Sequence, residues 1–164
     1  AETVRILLKY GADISFEGEG GKTAIIAASC LGDWETFQVV LEHNEALARN
    51  NIISNTQRLA NINHKTNHGW TSLMYAAHWG RIEKVETLLR FGARINDKNE
   101  GYLTALMVAN KERRRHIQEL LDRRVSIYEN DGVFANDLER EIIRLLDKVV
   151  VILRAHSRAK RIRV

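Results

Sequence analysis

Segments of this chain repeat one another at a spacing of about 33 residues, and this periodicity constrains the fold more than any single motif does. The stretch from Thr71 to Ile95, TSLMYAAHWGRIEKVETLLRFGARI, returns in altered form one period later at Thr104, as TALMVANKERRRHIQELL. It is anticipated at Thr23, as TAIIAASCLGDWETFQVVL, one period plus an insertion earlier. Val4 to Ile14, VRILLKYGADI, matches Val85 to Ile95 with Leu7 and Leu8 on Leu88 and Leu89, and Leu7 to Val40 is again one period. The link from Ile14 to Thr23, from Ile62 to Thr71 and from Ile95 to Thr104 is nine residues each time. Units of this size cannot bury their apolar faces alone, so they stack and share a continuous core with their neighbours.

Within each unit the residue chemistry predicts two helices. Thr23, Thr71 and Thr104 each stand one position before a helical run, where a hydroxyl can accept an otherwise unpaired backbone N–H; all three are expected N-caps. Leu73, Ala76 and Ala77, with their equivalents Ile25, Ala28 and Ser29, fall on one face whose small side chains allow helices to approach closely. Ile82, Val85, Leu88 and Leu89 form the apolar stripe of a second helix. Gly32 and Gly80 separate the two helices, and Gly11 and Gly92 end the second in a left-handed conformation.

The period, the Gly-x-Thr-x-[Leu/Ile] entry at Gly21 to Ile25 and Gly69 to Leu73, and the Leu-Leu-x-x-Gly-Ala exit at Leu7 to Ala12 and Leu88 to Ala93 together resemble the ankyrin repeat. The resemblance covers roughly residues 1 to 127 and implies an all-α solenoid of stacked helix pairs with protruding hairpin loops. On this reading residues 1–135 form the array: half a repeat at 1–14, then full repeats at about 15–62, 63–95 and 96–127. The family's Thr-Pro-Leu-His becomes Thr23-Ala24-Ile25-Ile26, Thr71-Ser72-Leu73-Met74 and Thr104-Ala105-Leu106-Met107; proline at the first helical position is favourable but dispensable. The third copy is the least regular. Its glycine has moved to Gly101, and Lys111, Glu112 and Arg113 replace the turn between its helices, so a distorted turn is expected there.

Two segments lie outside the period. The insertion falls at 42–58, where EHNEALARNNIISNTQR predicts a second helix lengthened by a turn or two and then a polar surface loop, with a binding loop as the sharper alternative. From Asn136 onward, Leu138, Ile142, Leu145, Leu146, Val149 and Leu153 make an amphipathic helix beginning near Asn136 or Asp137, so residues 136–164 are read as a degenerate capping helix and basic tail. Val149 to Leu153 is apolar on every side, which predicts surface left over for a further element, a second copy of the chain or a partner. Ala1 lies inside a second helix whose first helix is missing, so the chain is expected to be part of a longer array.

Composition narrows the function. One cysteine excludes an intramolecular disulfide framework, and no eighteen-residue apolar run spans a bilayer, so the expected location is the cytoplasm, or the nucleus. The formal charge of +4 has an address: residues 1–153 carry 20 basic and 21 acidic side chains, whereas residues 154–164 carry five basic and none acidic. That tail suits an anionic surface or an acidic protein; without interleaved aromatics it is a poor base-stacking platform, which argues against nucleic acid. Arg113, Arg114 and Arg115, and Arg123 and Arg124, stand among Glu112, Glu119 and Asp122 and read as a solvated face.

Nothing in the sequence carries catalytic machinery: there is no Gly-rich phosphate loop with Lys-Ser/Thr, no His-Glu-x-x-His and no Gly-x-Ser-x-Gly, so no enzyme and no cofactor are expected. His64, His68, His78 and Cys30 are the best metal candidates, but two lie on a hairpin link and one near the far end of a helix, so no metal is expected. Cys30 has no marked general base beside it and reads as an inert thiol.

The resemblance directs attention to the concave face, where partners of such arrays contact hairpin tips and the exposed side of the first helix. Carried over, those positions are Glu17, Glu19, Lys22, Cys30 and Leu31 in the first full unit. In the second they are Lys65, Asn67, His68, Trp70, His78 and Trp79, and in the third Lys98, Glu100, Leu103, Lys111 and Glu112. The second unit stands out, because two of the chain's three tryptophans sit there and tryptophan is enriched at binding hot spots. Trp34 is expected to be packed or partly covered. The expected function is non-catalytic binding of a protein partner centred on Trp70, His78 and Trp79. The competing expectation is an assembly or anchoring element using residues 149–164 for self-association or attachment to an anionic surface. A third is that the array positions an enzyme encoded elsewhere in a longer chain.

Overall fold

Thr71 starts the second unit as its sequence requires: its hydroxyl accepts the Met74 N–H at 3.3 Å, and a seven-residue helix, Ser72–His78, follows. In the computed structural model, which describes the backbone of residues 1–128 and 137–161 and the side-chain surroundings of residues 1–116, 118 and 143–157, the same device recurs along the chain. The helices are α1 (Glu2–Lys9), α2 (Ala24–Cys30), α3 (Trp34–Arg49), α4 (Asn55–Ile62), α5 (Ser72–His78), α6 (Ile82–Arg90), α7 (Ala105–Tyr128) and α8 (Asp137–Arg161). No strand occurs among the described residues, and the architecture is the all-α solenoid expected. Helices α2, α5 and α7 stack side by side as an inner row, while α3 and α6 pair with α2 and α5 behind it. Ala76 and Ala77 are fully buried in that row, and Ile25, Phe37, Leu73, Val85 and Leu88 fill the core between rows. Each such large side chain contributes about 1.5–3 kcal/mol by leaving water.

Thr23 occupies the N-cap position with nearly the backbone angles of Thr71, but its hydroxyl accepts no cap bond and its oxygen is buried without a partner among the described residues. The expected capping is thus absent at this one helix.

Hairpins project at one end of the inner row. Gly18, Thr66 and Asn99 each donate their N–H to the carbonyl four residues on, at Lys22, Trp70 and Leu103, at 2.9, 3.0 and 3.1 Å. Successive hairpins also bond to each other: Asn67 N–H reaches the Gly20 carbonyl at 3.0 Å and Glu100 N–H the His68 carbonyl at 3.2 Å. The nine-residue links are constant because the ladder permits no slippage.

The third unit departs from expectation. No turn, distorted or otherwise, interrupts α7, which runs unbroken for 24 residues through Lys111, Glu112 and Arg113. In the second unit α5 ends because Gly80 adopts φ +63°, letting the Arg81 N–H reach back to the Ala76 carbonyl at 2.9 Å. Arg113 stands in the place of Gly80, among good helix formers, and a left-handed conformation there would be strained. Arg113→Gly is therefore expected to lower stability by about 1 kcal/mol through helix propensity, in addition to losing the Arg113–Asp147 ion pair. Chemical denaturation measures it; an unchanged or raised midpoint would mean the helix is poised to break there.

Because α7 does not turn back, the space beside α6 is open, and α8 fills it by packing against both α7 and α6. The described part of α8 runs from Asp137. The expected array boundary at 135 lies outside the described residues, as do the side chains of Leu138, Ile142, Arg123, Arg124, Arg158, Lys160 and Arg161 and the whole of Arg163. The expected leftover apolar surface is mostly covered: Val149 and Leu153 are fully buried, Val150 is buried and Ile152 half-buried, leaving Val151 exposed.

The insertion also differs from a surface loop. Helix α3 extends to Arg49 and closes on Asn51 at φ +57°, with Ile52 N–H bonded to the Leu47 carbonyl at 2.9 Å; asparagine takes the place glycine usually holds in this motif. Ser54 then caps α4, accepting Gln57 N–H at 3.0 Å. The asparagines are bonded internally, with Asn61 Nδ2 donating to Asn44 Oδ1 at 2.8 Å and Asn44 Nδ2 to the Arg58 carbonyl at 3.2 Å. Arg58 pairs with Glu45 at 2.6 Å and donates to the Phe91 carbonyl at the end of α6, 3.2 Å away. The polar composition that suggests a loop instead pins a helix against the next unit.

Candidate protein-binding surface

The residues singled out in the second unit form a connected aromatic cluster on the inner row. Trp70 leaves the hairpin with its N–H bonded to Thr66 Oγ1 at 3.1 Å, and its ring lies 5.0 Å from that of Tyr75 and 5.6 Å from that of His78. The ring of Trp79 lies 4.9 Å from that of His78 and nearly perpendicular to it. His78 is therefore held between two indoles. Its Nδ1 lies 3.2 Å from the Glu112 carboxylate of α7, whose second oxygen faces Arg115 at 2.9 Å. The His78–Glu112 approach has ion-pair distance without hydrogen-bond alignment.

Exposure divides the candidates. Trp79 is 53% exposed and Leu31, its equivalent one unit earlier, 82% exposed. Lys65, Asn67, His68, Lys98 and Lys111 are exposed, as are Glu17, Glu19, Lys22 and Glu100, whereas Trp70, His78, Leu103 and Cys30 are half-buried and Glu112 is buried. Trp70 packs against the core, so it frames the surface more than it presents itself. Lys65 Nζ donates to the Lys98 carbonyl at 3.0 Å, and His68 Nδ1 lies 3.4 Å from Glu100, so the second and third hairpins are tied by side chains as well as backbone. Trp34 is 36% exposed, its ring 5.7 Å from that of buried Phe37.

The histidines do not converge. His64 Nε2 lies 3.1 Å from the Gly21 carbonyl and 3.7 Å from Glu17, while His68 and His78 face Glu100 and Glu112. Among the described residues no three His, Cys, Asp or Glu side chains are grouped as a metal site would need. Beyond the Trp79 end of the cluster, Leu31, Trp34, Gly80, Arg81, Ile82 and Leu145 help line an open cleft of about 430 Å³ between the two inter-helix turns and α8.

Two contributors escape sequence reasoning. Tyr75 stands where the other units carry Ala27 and Val108, and an aromatic in a column of small or aliphatic residues was the available signal. The role of Arg115 in holding Glu112 required α7 to be continuous, because the pair is one helical turn apart on a segment expected to bend.

No helix among the described residues is long and apolar enough to cross a membrane. A family model described as ankyrin repeats in three copies matches residues 45–131, more than half of the chain. The helix pairs, the bonded hairpins and this match agree, and the chain belongs to the ankyrin repeat family.

Proposed function

We propose that this chain is a non-catalytic module that binds a protein partner through the concave face of its repeats, centred on Trp70, His78 and Trp79. Ankyrin repeats are generally protein-interaction modules, which supports the class of function. The observation that carries the choice of surface is Trp79. A large indole is held half in water, nearly perpendicular to the His78 ring, which also meets that of Trp70, so it is both exposed and packed against a fixed neighbour. A lone half-buried thiol fits a reducing compartment, the cytoplasm or nucleus, where such a module would meet its partner.

The two tryptophans separate binding from folding. Trp79→Ala should abolish capture of the partner from a cell extract while leaving the denaturation midpoint essentially unchanged. Trp70→Ala should cost about 2 kcal/mol of stability, below the range for a fully buried tryptophan because Trp70 is half-buried. Retained capture by Trp79→Ala at native stability would remove the concave face as the binding surface. Loss of capture on deleting residues 154–164 alone would assign binding to the basic tail instead.

A further inference from the structure

The aromatic cluster is bracketed by amines at both ends. Lys65 and Lys98 occupy equivalent places on the second and third hairpins, and both are exposed. Lys111 is exposed on α7 in the place equivalent to His78, beyond a stretch of helix that begins after Thr104 and rises about 10 Å. None of the three amines meets a carboxylate among the described residues; Lys65 donates to a carbonyl, which satisfies a proton but leaves its charge uncompensated.

The acids on the same face have nearer neighbours than these amines. Glu100 lies 3.4 Å from His68, and buried Glu112 lies 2.9 Å from the Arg115 guanidinium. The first unit offers the opposite arrangement, with Glu17 in the place of Lys65, Cys30 in that of His78 and Leu31 in that of Trp79. On the second and third units unpaired amines thus flank the exposed indole of Trp79, whereas on the first unit exposed Lys22 and Phe16 share their hairpin with the carboxylates of Glu17 and Glu19.

We propose that the docking partner is an acidic protein segment with one large apolar anchor. The anchor packs on Trp79 and His78, and carboxylates on either side of it reach Lys65 and Lys98 at the hairpin end and Lys111 at the other. This rests on the concave-face reading above and adds the chemistry of the partner. Opposite charges at the rim steer encounter and set register, while the desolvated aromatic contact holds the complex. A single-stranded nucleic acid is the poorer fit: Trp70 and His78 meet other rings at their edges and are half-buried, so successive bases lack a row of open ring faces to stack on.

The test pans a displayed peptide library, a fixed central Trp, Phe or Leu with randomised flanks, against the intact chain. Enriched sequences should carry Asp or Glu on both sides of the anchor. A synthetic copy should lose affinity about tenfold between low and high ionic strength and at least about tenfold against the Lys65→Glu, Lys98→Glu, Lys111→Glu triple variant. Lys9→Glu, a charge reversal on α1, should leave it unchanged. Enriched peptides that are neutral or basic yet lose binding to Trp79→Ala overturn the acidic assignment and leave the concave surface standing. Enriched peptides indifferent to Trp79→Ala overturn both. Failure to enrich any peptide, with tight binding of oligouridylate instead, overturns the proposal in favour of nucleic acid.

Discussion

Gly69→Ala is expected to destabilise the protein by about 3 kcal/mol, from about 1–2 kcal/mol of left-handed backbone strain plus the displacement of a neighbouring hairpin. Gly69 has φ +73°, and a Cβ built on it would lie 2.9 Å from Asn99 Cα and 3.0 Å from the Glu100 nitrogen. Those atoms are backbone and cannot swing aside. Relieving the contact would pull the third hairpin away and strain the Glu100 N–H to His68 carbonyl bond and the Lys65 and His68 ties beside it. Gly21 repeats the arrangement against Asn67, whose backbone nitrogen would be 3.0 Å away. Gly11 supplies the control, because it has φ +86° and nothing within 4 Å of the added carbon, so Gly11→Ala should cost only the backbone strain, about 1–2 kcal/mol. Urea unfolding of the two variants gives the comparison. Equal losses would mean that the hairpins do not interlock. The third unit shows the same logic in reverse: Tyr102, exposed at φ +58°, holds the place of Gly21 and Gly69, and no further hairpin among the described residues packs against its side chain.

Lys84→Ala should cost a similar amount, about 3 kcal/mol, because it removes two charge-assisted hydrogen bonds and packing at once. Lys84 lies on α6, yet its ammonium donates to the Ala28 carbonyl in the last turn of α2 of the preceding unit, at 2.7 Å, and to the Gly32 carbonyl in the turn that follows. The ammonium lies 5.4 Å from the centre of the Phe37 ring, and the residue is only 4% exposed. Lys84→Met should be the milder variant, since it keeps much of the packing and loses the bonds.

The proton on this amine gives the same residue a pH signature. Burial first, and repulsion from Arg81 second, hold its pKa below the ordinary 10.5, against the attraction of Asp33 and Cys30. The unfolded chain therefore binds the proton more tightly than the folded one. Between the lowered folded value and 10.5 the unfolded state carries more protons, so stability rises with pH across that window and is flat below it. The neutral amine keeps two N–H groups for its two carbonyls. The stability of the wild type relative to Lys84→Met should accordingly increase as pH is raised toward 10.5; a decrease would mean that the folded protein favours the charged form.

What the sequence disclosed about the binding surface followed the same division as the fold. Trp79 and His78 could be placed on the inner face by counting from Thr71, because helical periodicity fixes direction locally. That Trp70 would sink against Tyr75, or that each of three histidines would face a carboxylate of an adjoining unit, could not be counted. His64 and Glu17, His68 and Glu100, and His78 and Glu112 each stand about a whole repeat or more apart in the chain, and no local rule reaches that far.

The sequence alone determined the repeating unit, the helix starts at Thr71 and Thr104 and the chain reversals at Gly11, Gly80 and Gly92. Each depends on backbone torsions that a few neighbouring residues dictate. Arg113 in the place of Gly80 also carried the end of that pattern, though whether the chain would kink or run on depended on what lay beside it. Only the tertiary structure decided that α7 stays straight, that α8 takes the space next to α6 and covers Val149 to Leu153, that α4 docks on the following unit, and that a lysine from one repeat closes a helix of another. Those outcomes depend on which surfaces remain open after the units stack, and an open surface is a property of residues brought together in space rather than of residues adjacent in the chain.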